Sequence, residues 1–391
     1  MKKKLLRVTT VPISLKILLK DQLKFMNQYY EVVGVSSEGR ELEEVSRDER
    51  IRTIELNMSR DITPLKDIIS LTKMILLLLK EKPDIIHTHT PKAGIIGMLA
   101  SWLTRVPHRL HTVAGLPVME AKGPRKIILL LVEKLTYFCA TKVYPNSYGL
   151  QEYILENNLT DREKLKVIGN GSSNGIDTVY FDKTEEVINK SNELKRKYDL
   201  TDKFVFCFVG RVVKDKGINE LLDSFNRLSK EFSNIKLLIV GKFEEELNPI
   251  SKESHNILQK NKDIVHVNFQ NDIRVYLACS NCFVLPTYRE GFPNVVLQAS
   301  SMGISSIVTN INGCNEIIKD NYNGLIVEPK DSTKLYTAMK RYIEEKKLSL
   351  KLSTNIRDEI VKKYNRKIFY QYLLEEYNGI SRVLHTKQPN K

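Results

Sequence analysis

The stretch FVFCFVGRVVKDKGINELLDSF, residues 204–225, contains the pattern on which the fold prediction rests. An apolar run ends at Gly210, as a buried strand would, and an amphipathic helical pattern follows Gly217. The loop between them carries three cations, Arg211, Lys214 and Lys216. Cations beside the first turn of a helix suit a diphosphate, because the helix end adds oriented N–H groups. Ordinary solvated loop charges are an equal alternative for one such loop.

A second strand–loop–helix segment of the same kind is FVLPTYREGFPNVVLQAS, residues 283–300. Its apolar start predicts a buried strand, and its end predicts a helix that begins near Pro293. Between them, Gly291 allows close approach of the backbone, and Glu290 offers one carboxylate. The loop between this strand and this helix therefore predicts a site that presents free backbone N–H groups and a carboxylate to a ligand.

Strand-like apolar runs alternate with helical patterns along the whole chain, which predicts an α/β protein with two parallel, doubly wound sheets. The stretch VIGNGSSNGID, residues 167–177, is typical of a domain boundary. We therefore expect Rossmann-like domains at 1–177 and 178–366, facing each other across a cleft. The segment 367–391 starts with an amphipathic helix that we expect to cross back to the first domain. Ligands of such sheets bind at the carboxyl ends of the strands.

The bulk composition is that of a soluble globular protein, with 42% hydrophobic and 28% charged residues in 391. A net charge of +14 predicts an anionic partner, which leaves nucleic acid, acidic lipid and phosphorylated substrates open. The chain lacks the basic stripes with interleaved aromatic residues that favour nucleic acid. Five scattered cysteines in apolar runs indicate free thiols in a reducing cytoplasm.

Apolar runs at 74–79 and 127–132 are too short to span a bilayer. Both lie among lysine and arginine residues in amphipathic helical patterns, so core helices are the first interpretation. A face that rests on an anionic membrane is the alternative. The N-terminal LLRVTTV is interpreted as the first strand rather than as part of a signal peptide.

The loops in 204–225 and 283–300 together favour one binding site, because both should lie at strand carboxyl ends of one domain. Arg211 and Lys216 can offer charge to a diphosphate, and Glu290 can accept hydrogen bonds from hydroxyls. Gln298 should lie roughly 7 Å further along its helix than Pro293. A nucleotide-sugar fits this combination. The sequence contains neither a Walker loop nor a D-x-D pair.

At this point the sequence resembles a family. Six segments resemble motifs of GT-B retaining glycosyltransferases of family 4 and follow one another in the family's order. They are HTHTPKAG, HTVAG, GRVVKDKG, REGFPNVVLQA, MGISSIVTNINGCNEII and NGLIVEP. The likeness is greatest to bacterial enzymes of capsule, O-antigen and glycan assembly. It implies a nucleotide-sugar donor, with UDP favoured, and an acceptor glycan on polyprenyl diphosphate. It also implies no cofactor or metal, and peripheral attachment to the inner face of the cell membrane.

The resemblance implies roles for individual residues of the second domain. Arg211 and Lys216, after Gly210, would bind the diphosphate, and Glu290 would contact the transferred sugar. The amides around Gly291, Phe292 and Asn294 would hold hydroxyls or phosphate oxygens. Gln298 stands where the family has a second glutamate, usually assigned to the ribose, and its amide can still donate and accept.

In the first domain the resemblance places His111 beside the reacting sugar. The residues assigned to the acceptor are Ser14, His89, Lys92 and Gly94. The family's Gly-rich loop after the first strand is replaced by TTVPISLKILL, which makes a close backbone approach less assured there. His87 is interpreted as structural. His87 and His89 alternate on one strand and share a face without a third ligand, so a metal site is not expected.

Other interpretations remain beside this one. GT-B folds also include nucleotide-sugar epimerases, and the loss of the second glutamate leaves an inactive basic binding subunit open. GNGSSN, residues 169–174, is a near miss for a dinucleotide fingerprint, but no helical pattern follows it. CSNC, residues 279–282, is a lone pair of cysteines that we assign to the core.

Overall fold

A computed structural model describes residues 2–61, 63–119, 121–244, 246 and 248–383, with side chains described up to residue 380. It divides the chain into two compact units. The first combines the chain up to Gly175 with the segment that begins at Arg366, and the second spans Ile176–Asn365. These junctions lie next to the boundaries expected after residues 177 and 366.

Each unit is built on one parallel six-stranded sheet. The strands of the first are β1 (Lys4–Val8), β2 (Glu31–Ser36), β3 (Arg52–Glu55), β4 (Ile85–His89), β5 (His108–Val113) and β6 (Lys142–Pro145). The strands of the second are β7 (Phe204–Val209), β8 (Ile235–Val240), β9 (Ile264–Val267), β10 (Cys282–Leu285), β11 (Ser306–Thr309) and β12 (Gly324–Val327).

Helices connect successive strands in both units. The first unit has α1 (Pro12–Leu18), α2 (Gln22–Met26), α3 (Arg40–Glu49), α4 (Pro64–Glu81), α5 (Pro91–Leu103), α6 (Gly123–Cys139), α7 (Tyr148–Glu156) and, at the end of the chain, α16 (Arg366–Val383). The second has α8 (Glu185–Lys197), α9 (Ile218–Leu228), α10 (Lys252–Lys260), α11 (Arg274–Ala278), α12 (Asn294–Ser301), α13 (Cys314–Ile317), α14 (Ser332–Glu344) and α15 (Lys346–Tyr364).

The strand order defines a doubly wound fold in each unit. The first sheet runs β3-β2-β1-β4-β5-β6, and the second runs β12-β11-β10-β7-β8-β9. Counted from the first strand of each unit, both follow the Rossmann order 3-2-1-4-5-6. The order reverses between β1 and β4 in one sheet and between β7 and β10 in the other. Ligands of such sheets bind at this switch point, so the fold alone singles out the loops after these strands.

The first sheet is covered on both faces by apolar side chains. One core cluster joins the strands to α4, α5 and α6, and another joins them to α1, α2, α3 and α16. The last helix contributes Phe369, Leu373 and Tyr377, all buried. Burial of such side chains contributes roughly 1.5–3 kcal/mol each, so α16 is an integral part of the first unit.

Two details of the helices follow from local sequence. The charged stretch after the boundary contains α8, whose first turn is capped by the Thr184 hydroxyl, which accepts from the Val187 N–H. A proline starts α5 at its first position, where its missing N–H costs nothing. Within the described ranges, none of the helices is both long and apolar enough to cross a bilayer.

Candidate active site

The two loops singled out by the sequence leave neighbouring strands at the switch point of the second sheet. β7 and β10 pair in parallel, with Phe283 opposite Cys207. A Cβ atom on Gly217, whose φ is +70°, would lie 1.9 Å from the carbonyl oxygen of Pro286. The start of α9 therefore touches the backbone that follows β10, and this contact requires glycine.

Lys216 and Glu290 form an ion pair across these loops, from the Lys216 ammonium to Glu290 Oε1. Both side chains are about four-fifths buried, with 19% and 18% of their surface exposed. Lys216 ends a short turn that starts at Lys214. The cation assigned to the diphosphate and the carboxylate assigned to the sugar are thus in direct contact.

Arg211 lies apart from this pair. Its Nη1 donates to Glu244 Oε2 at 2.7 Å, and half of its side chain is exposed. A further pair fixes the loops to each other, because Arg289 Nη2 donates to Asp215 Oδ2 at 3.1 Å. Partial burial opposes ionisation of Asp215, but hydrogen bonds from Asn248 and Arg289 hold its pKa below the ordinary value. Neither Glu244 nor Asp215 was predicted from the sequence.

The loop from Glu290 to Phe292 is held by the segment after β11, through one hydrogen bond and a second close contact at a glycine. Asn312 Nδ2 donates to the carbonyl oxygen of Glu290 at 2.5 Å. A Cβ atom on Gly313 would lie 2.5 Å from the carbonyl oxygen of Gly291. The side chain of Phe292 is buried with its ring 5.5 Å from that of Tyr364, so only its backbone remains for a ligand. Asn312 and Gly313 belong to the segment NGCNE, residues 312–316, for which the sequence predicted no role.

The other two donor residues lie on α12, which starts directly after this loop. Asn294 is exposed at its first position, and Gln298 is half-buried one turn further on. Gly210 directly follows β7, and its carbonyl oxygen would be 1.7 Å from a Cβ atom on Gly241. The structure thus gathers Gly210, Lys216 and the 290–298 segment at the switch point, whereas Arg211 pairs with Glu244.

In the first unit, His111 and Gly94 are in contact. A Cβ atom on Gly94 would lie 2.6 Å from His111 Cε1, so the glycine makes room for the imidazole. His111 Nδ1 is 2.8 Å from the hydroxyl oxygen of Thr88. Burial lowers the pKa of His111 to about 4, so the ring is neutral at pH 7. A neutral imidazole can offer a hydrogen bond without bringing a charge.

His89 faces the other side of the sheet. Its ring stacks on His87 at 4.4 Å, which confirms that the two share a face. Its Nε2 is 2.9 Å from Arg7 Nη2, and both residues are buried. His87 is held by the hydroxyls of Tyr377 and Thr112, each at 2.7 Å. His89 is therefore not brought together with His111, and its role at the acceptor stays a prediction.

The remaining acceptor candidates lie near the other loops of the first sheet. Lys92 Nζ pairs with Asp67 Oδ2 at 2.6 Å and is mostly buried. Ser14 lies in α1, where its N–H donates to the carbonyl of Val11, and its side chain is half-buried. The segment that stands where the resemblance expects a Gly-rich loop leads into α1. The acceptor roles of both residues stay predictions.

The segments CSNC and GNGSSN, at residues 279–282 and 169–174, have structural surroundings. All five cysteines are buried and unbridged, and burial raises the pKa of Cys279 to about 11. Ser172 turns the 169–174 segment by accepting from the N–H groups of Asn174 and Gly175. Within the described part of the chain, no cluster of three His, Cys, Asp or Glu side chains is arranged to hold a metal ion.

Two family descriptions match the chain in order: the Glycosyl transferase 4-like domain over residues 25–171 and Glycosyl transferases group 1 over residues 190–359. The chain is 37% identical over 376 residues to the capsular polysaccharide biosynthesis glycosyltransferase CapM of Staphylococcus aureus, covering 96% of this chain and 97% of CapM. It is 32% identical to the UDP-Gal:alpha-D-GlcNAc-diphosphoundecaprenol alpha-1,3-galactosyltransferase of Escherichia coli, covering 79% and 78% of the two chains.

The fold also matches solved structures. The crystal structure of Anabaena HepE in complex with UDP superposes with a TM-score of 0.81 over 97% of this chain and 100% of HepE, at 18% identity. The two doubly wound units and the superposition on HepE show that the chain has the GT-B fold. The chain belongs to the family of group 1, family 4-like glycosyltransferases.

Proposed function

We propose that this glycosyltransferase moves a hexose or N-acetylhexosamine from a UDP-sugar to a hydroxyl of a lipid-diphosphate-linked glycan. The product would be an intermediate of a bacterial surface polysaccharide such as a capsule. The observation that carries the proposal is the Lys216–Glu290 pair at the switch point of the second sheet. The relatives named above act, by their names, in capsule assembly and on a diphosphoundecaprenol-linked sugar.

The chemistry proposed for the pair follows from its charges. When the bond between the sugar and the diphosphate breaks, negative charge grows on the leaving phosphate. Lys216 and Arg211 would stabilise that charge, together with the first amides of α12, once the diphosphate has replaced Glu290 and Glu244 as their partners. No cofactor or metal takes part in this scheme. Glu290, released from Lys216 by the donor, would accept hydrogen bonds from sugar hydroxyls.

We further propose that the configuration at the anomeric carbon is retained. In this scheme the departing phosphate takes the proton of the acceptor hydroxyl on the same face of the sugar. His111 would contact the transferred sugar as a neutral hydrogen-bonding partner, since its burial disfavours the charged form. The half-buried Gln298 would bind the ribose through its amide.

The test is a transfer assay with UDP-glucose, UDP-galactose and their N-acetylated forms, using a synthetic polyprenyl-diphosphate-linked acceptor and excess EDTA. We expect one donor to give a glycolipid whose new linkage has the α configuration of that donor in the NMR spectrum. A β linkage would contradict retention, and loss of activity in EDTA would contradict metal independence. Conversion of the free UDP-sugar to its epimer, without transfer, would favour the epimerase instead.

A further inference from the structure

A fully buried arginine lies at the switch point of the first sheet. Arg7 is the fourth residue of β1, and none of its side chain is exposed. Its Nη2 donates to Gln22 Oε1 at 2.5 Å and to His89 Nε2 at 2.9 Å. Its Nε and Nη1 are also buried, and they have no hydrogen-bond partner among the described residues. Buried N–H groups of a charged side chain are unfavourable when unpaired, so this arginine requires a further partner.

The carboxylates buried in the first unit do not pair with this arginine. Glu49 lies within electrostatic reach of Arg7, but its oxygens accept from two backbone N–H groups at the start of α2. Glu81 and Glu376 are each bound by other cations. Glu133 lies on α6, which packs on the other face of the sheet. Among the described residues, Arg7 therefore contacts neutral groups only.

The ionisable groups around Arg7 add no negative charge. Because a guanidinium only donates, His89 Nε2 accepts from it, which places the proton of the imidazole on Nδ1. Burial lowers the pKa of His89 and of the stacked His87 well below the usual value, so both rings are neutral. Burial also raises the pKa of Tyr377, which hydrogen-bonds His87, to about 12. The cluster thus holds a positive charge and, on His89 Nδ1, a further N–H for which the described residues provide no acceptor.

Arg7 and His89 both line a cavity at the carboxyl ends of β1, β4 and β5. Its volume is about 10 Å³, which is room for a single particle of about the size of a water molecule. Gln22 forms another part of the wall, but its carbonyl oxygen accepts from Arg7 and its amide donates to Ser173 and Asn174. A cavity with surplus N–H donors, a permanent positive charge and space for one particle has the properties of an anion site.

We propose that this cavity binds one monatomic anion of the halide class, which in a cell is chloride. The anion would accept N–H groups from Arg7 and His89 and neutralise the guanidinium. Phosphate, sulfate and carboxylate ligands are larger than the cavity. The bound ion would connect β1 to β4 and, through Gln22, to the 172–174 segment that precedes the second unit in the chain. The inference concerns the fold of the first unit and does not depend on which reaction the protein catalyses.

Bromide locates the site directly, because it is a halide with a strong anomalous X-ray signal. Crystals of the full-length wild-type protein are soaked in sodium bromide, and an anomalous difference map is calculated. We expect a peak within hydrogen-bonding distance of the Arg7 guanidinium and of His89 Nδ1. Water density without an anomalous peak in this cavity would overturn the proposal.

A second experiment measures whether the ion stabilises the fold in solution. Trp102 is the single tryptophan and lies on α5, so its fluorescence follows thermal unfolding of the first unit. Chloride is replaced stepwise, at constant ionic strength, by gluconate, which is too large for the cavity. A ligand that binds only the folded state raises the melting temperature, and we expect the wild type to gain about 3 °C or more in chloride. Equal melting temperatures in the two salts would overturn the proposal.

Matched variants of β1 separate the cavity from a general salt effect. Arg7→Met removes the unpaired cation, and Lys4→Met removes a cation of the same strand that is paired with Glu81. We expect the chloride response to disappear in Arg7→Met and to persist unchanged in Lys4→Met. Equal responses in all three proteins would assign the effect to unspecific salt binding and overturn the proposal. The bromide map decides the question without a variant, should Arg7→Met fail to fold.

Discussion

The ammonium group of Lys216 and the carboxylate of Glu290 are paired between the loops that follow β7 and β10. Each side chain neutralises the other in a partly buried position where an unpaired charge would be unfavourable. In the proposed scheme, a phosphate that approaches Lys216 would replace this partner and leave Glu290 available for another ligand. The pair would thus link binding of the diphosphate to presentation of the carboxylate.

The first prediction concerns this carboxylate. Glu290→Gln keeps the shape of the side chain but removes its charge, so we expect the initial rate with the preferred UDP-sugar to fall by about 10²-fold. Affinity for UDP itself should not fall, because UDP carries no transferred sugar and no longer has to displace a carboxylate from Lys216. Glu344→Gln, at the exposed end of α14, is the control. Equal rates for the two variants would show that Glu290 does not act on the sugar.

The second prediction concerns the contact between Gly217 and Pro286. Gly217→Ala places a Cβ atom on the Pro286 carbonyl, whereas Gly303→Ala, at a nearly identical φ of +69°, meets nothing within 4 Å. The positive φ alone should destabilise each variant by roughly 1–2 kcal/mol. We expect Gly217→Ala to lose about 2 kcal/mol more, since the loops must move apart. Urea unfolding measures both, and equal losses would contradict the close contact.

Much of the architecture could be predicted from the sequence, because the patterns that define it are local. The apolar run at 74–79, expected in an amphipathic helix, lies in α4, and the strand expected at Phe204 is β7. The alternation of apolar runs and helical patterns leads directly to doubly wound sheets. That His87 and His89 share a face follows from the two-residue period of a strand.

The partners within the candidate site could not be predicted in the same way. Lys216 and Glu290 are 74 residues apart, and they meet because β7 and β10 are neighbours in the sheet. Arg211 and Glu244 are 33 residues apart and meet because of the pairing of β7 with β8. The strand order that creates these pairs is a property of the whole unit. The surroundings of His87 and His89 likewise come from opposite ends of the chain, because Arg7 contacts His89 and Tyr377 of α16 contacts His87.

The third prediction concerns pH. Burial raises the pKa of Glu133 from 4.5 to about 7, although the nearby hydroxyl of Tyr137 opposes the shift. Between these values the folded state binds the proton that the unfolded state releases, so the free energy of unfolding falls as pH rises. Glu133→Gln removes this loss. We expect its stability relative to the wild type to improve by about 3 kcal/mol between pH 4.5 and pH 8.

Chemical denaturation at a series of pH values measures this difference, in which the other titrating groups cancel. Glu152→Gln on the exposed side of α7 is the control and should follow the wild type at every pH. Parallel curves for the Glu133 variant and the wild type would contradict the burial of an ionisable group at this position.

The fourth prediction concerns the last helix. The Tyr377 hydroxyl lies 2.7 Å from His87 Nδ1, and both residues are buried. Tyr377→Phe leaves that ring nitrogen without its partner, which should destabilise the first unit by about 1–3 kcal/mol. Tyr372→Phe, on the same helix but 41% exposed, should have little effect. Thermal unfolding compares the two, and equal melting temperatures would contradict a structural role for this hydrogen bond.

The central claim is that Lys216 at the switch point of the second sheet binds the diphosphate of the donor. Calorimetric titration with UDP tests it directly in the wild type, in Lys216→Ala and in Lys214→Ala, which removes an exposed cation from the same turn. We expect UDP to bind the wild type and Lys214→Ala with similar affinity and to bind Lys216→Ala at least tenfold more weakly. Absence of UDP binding to the wild type, or equal weakening in both variants, would contradict it.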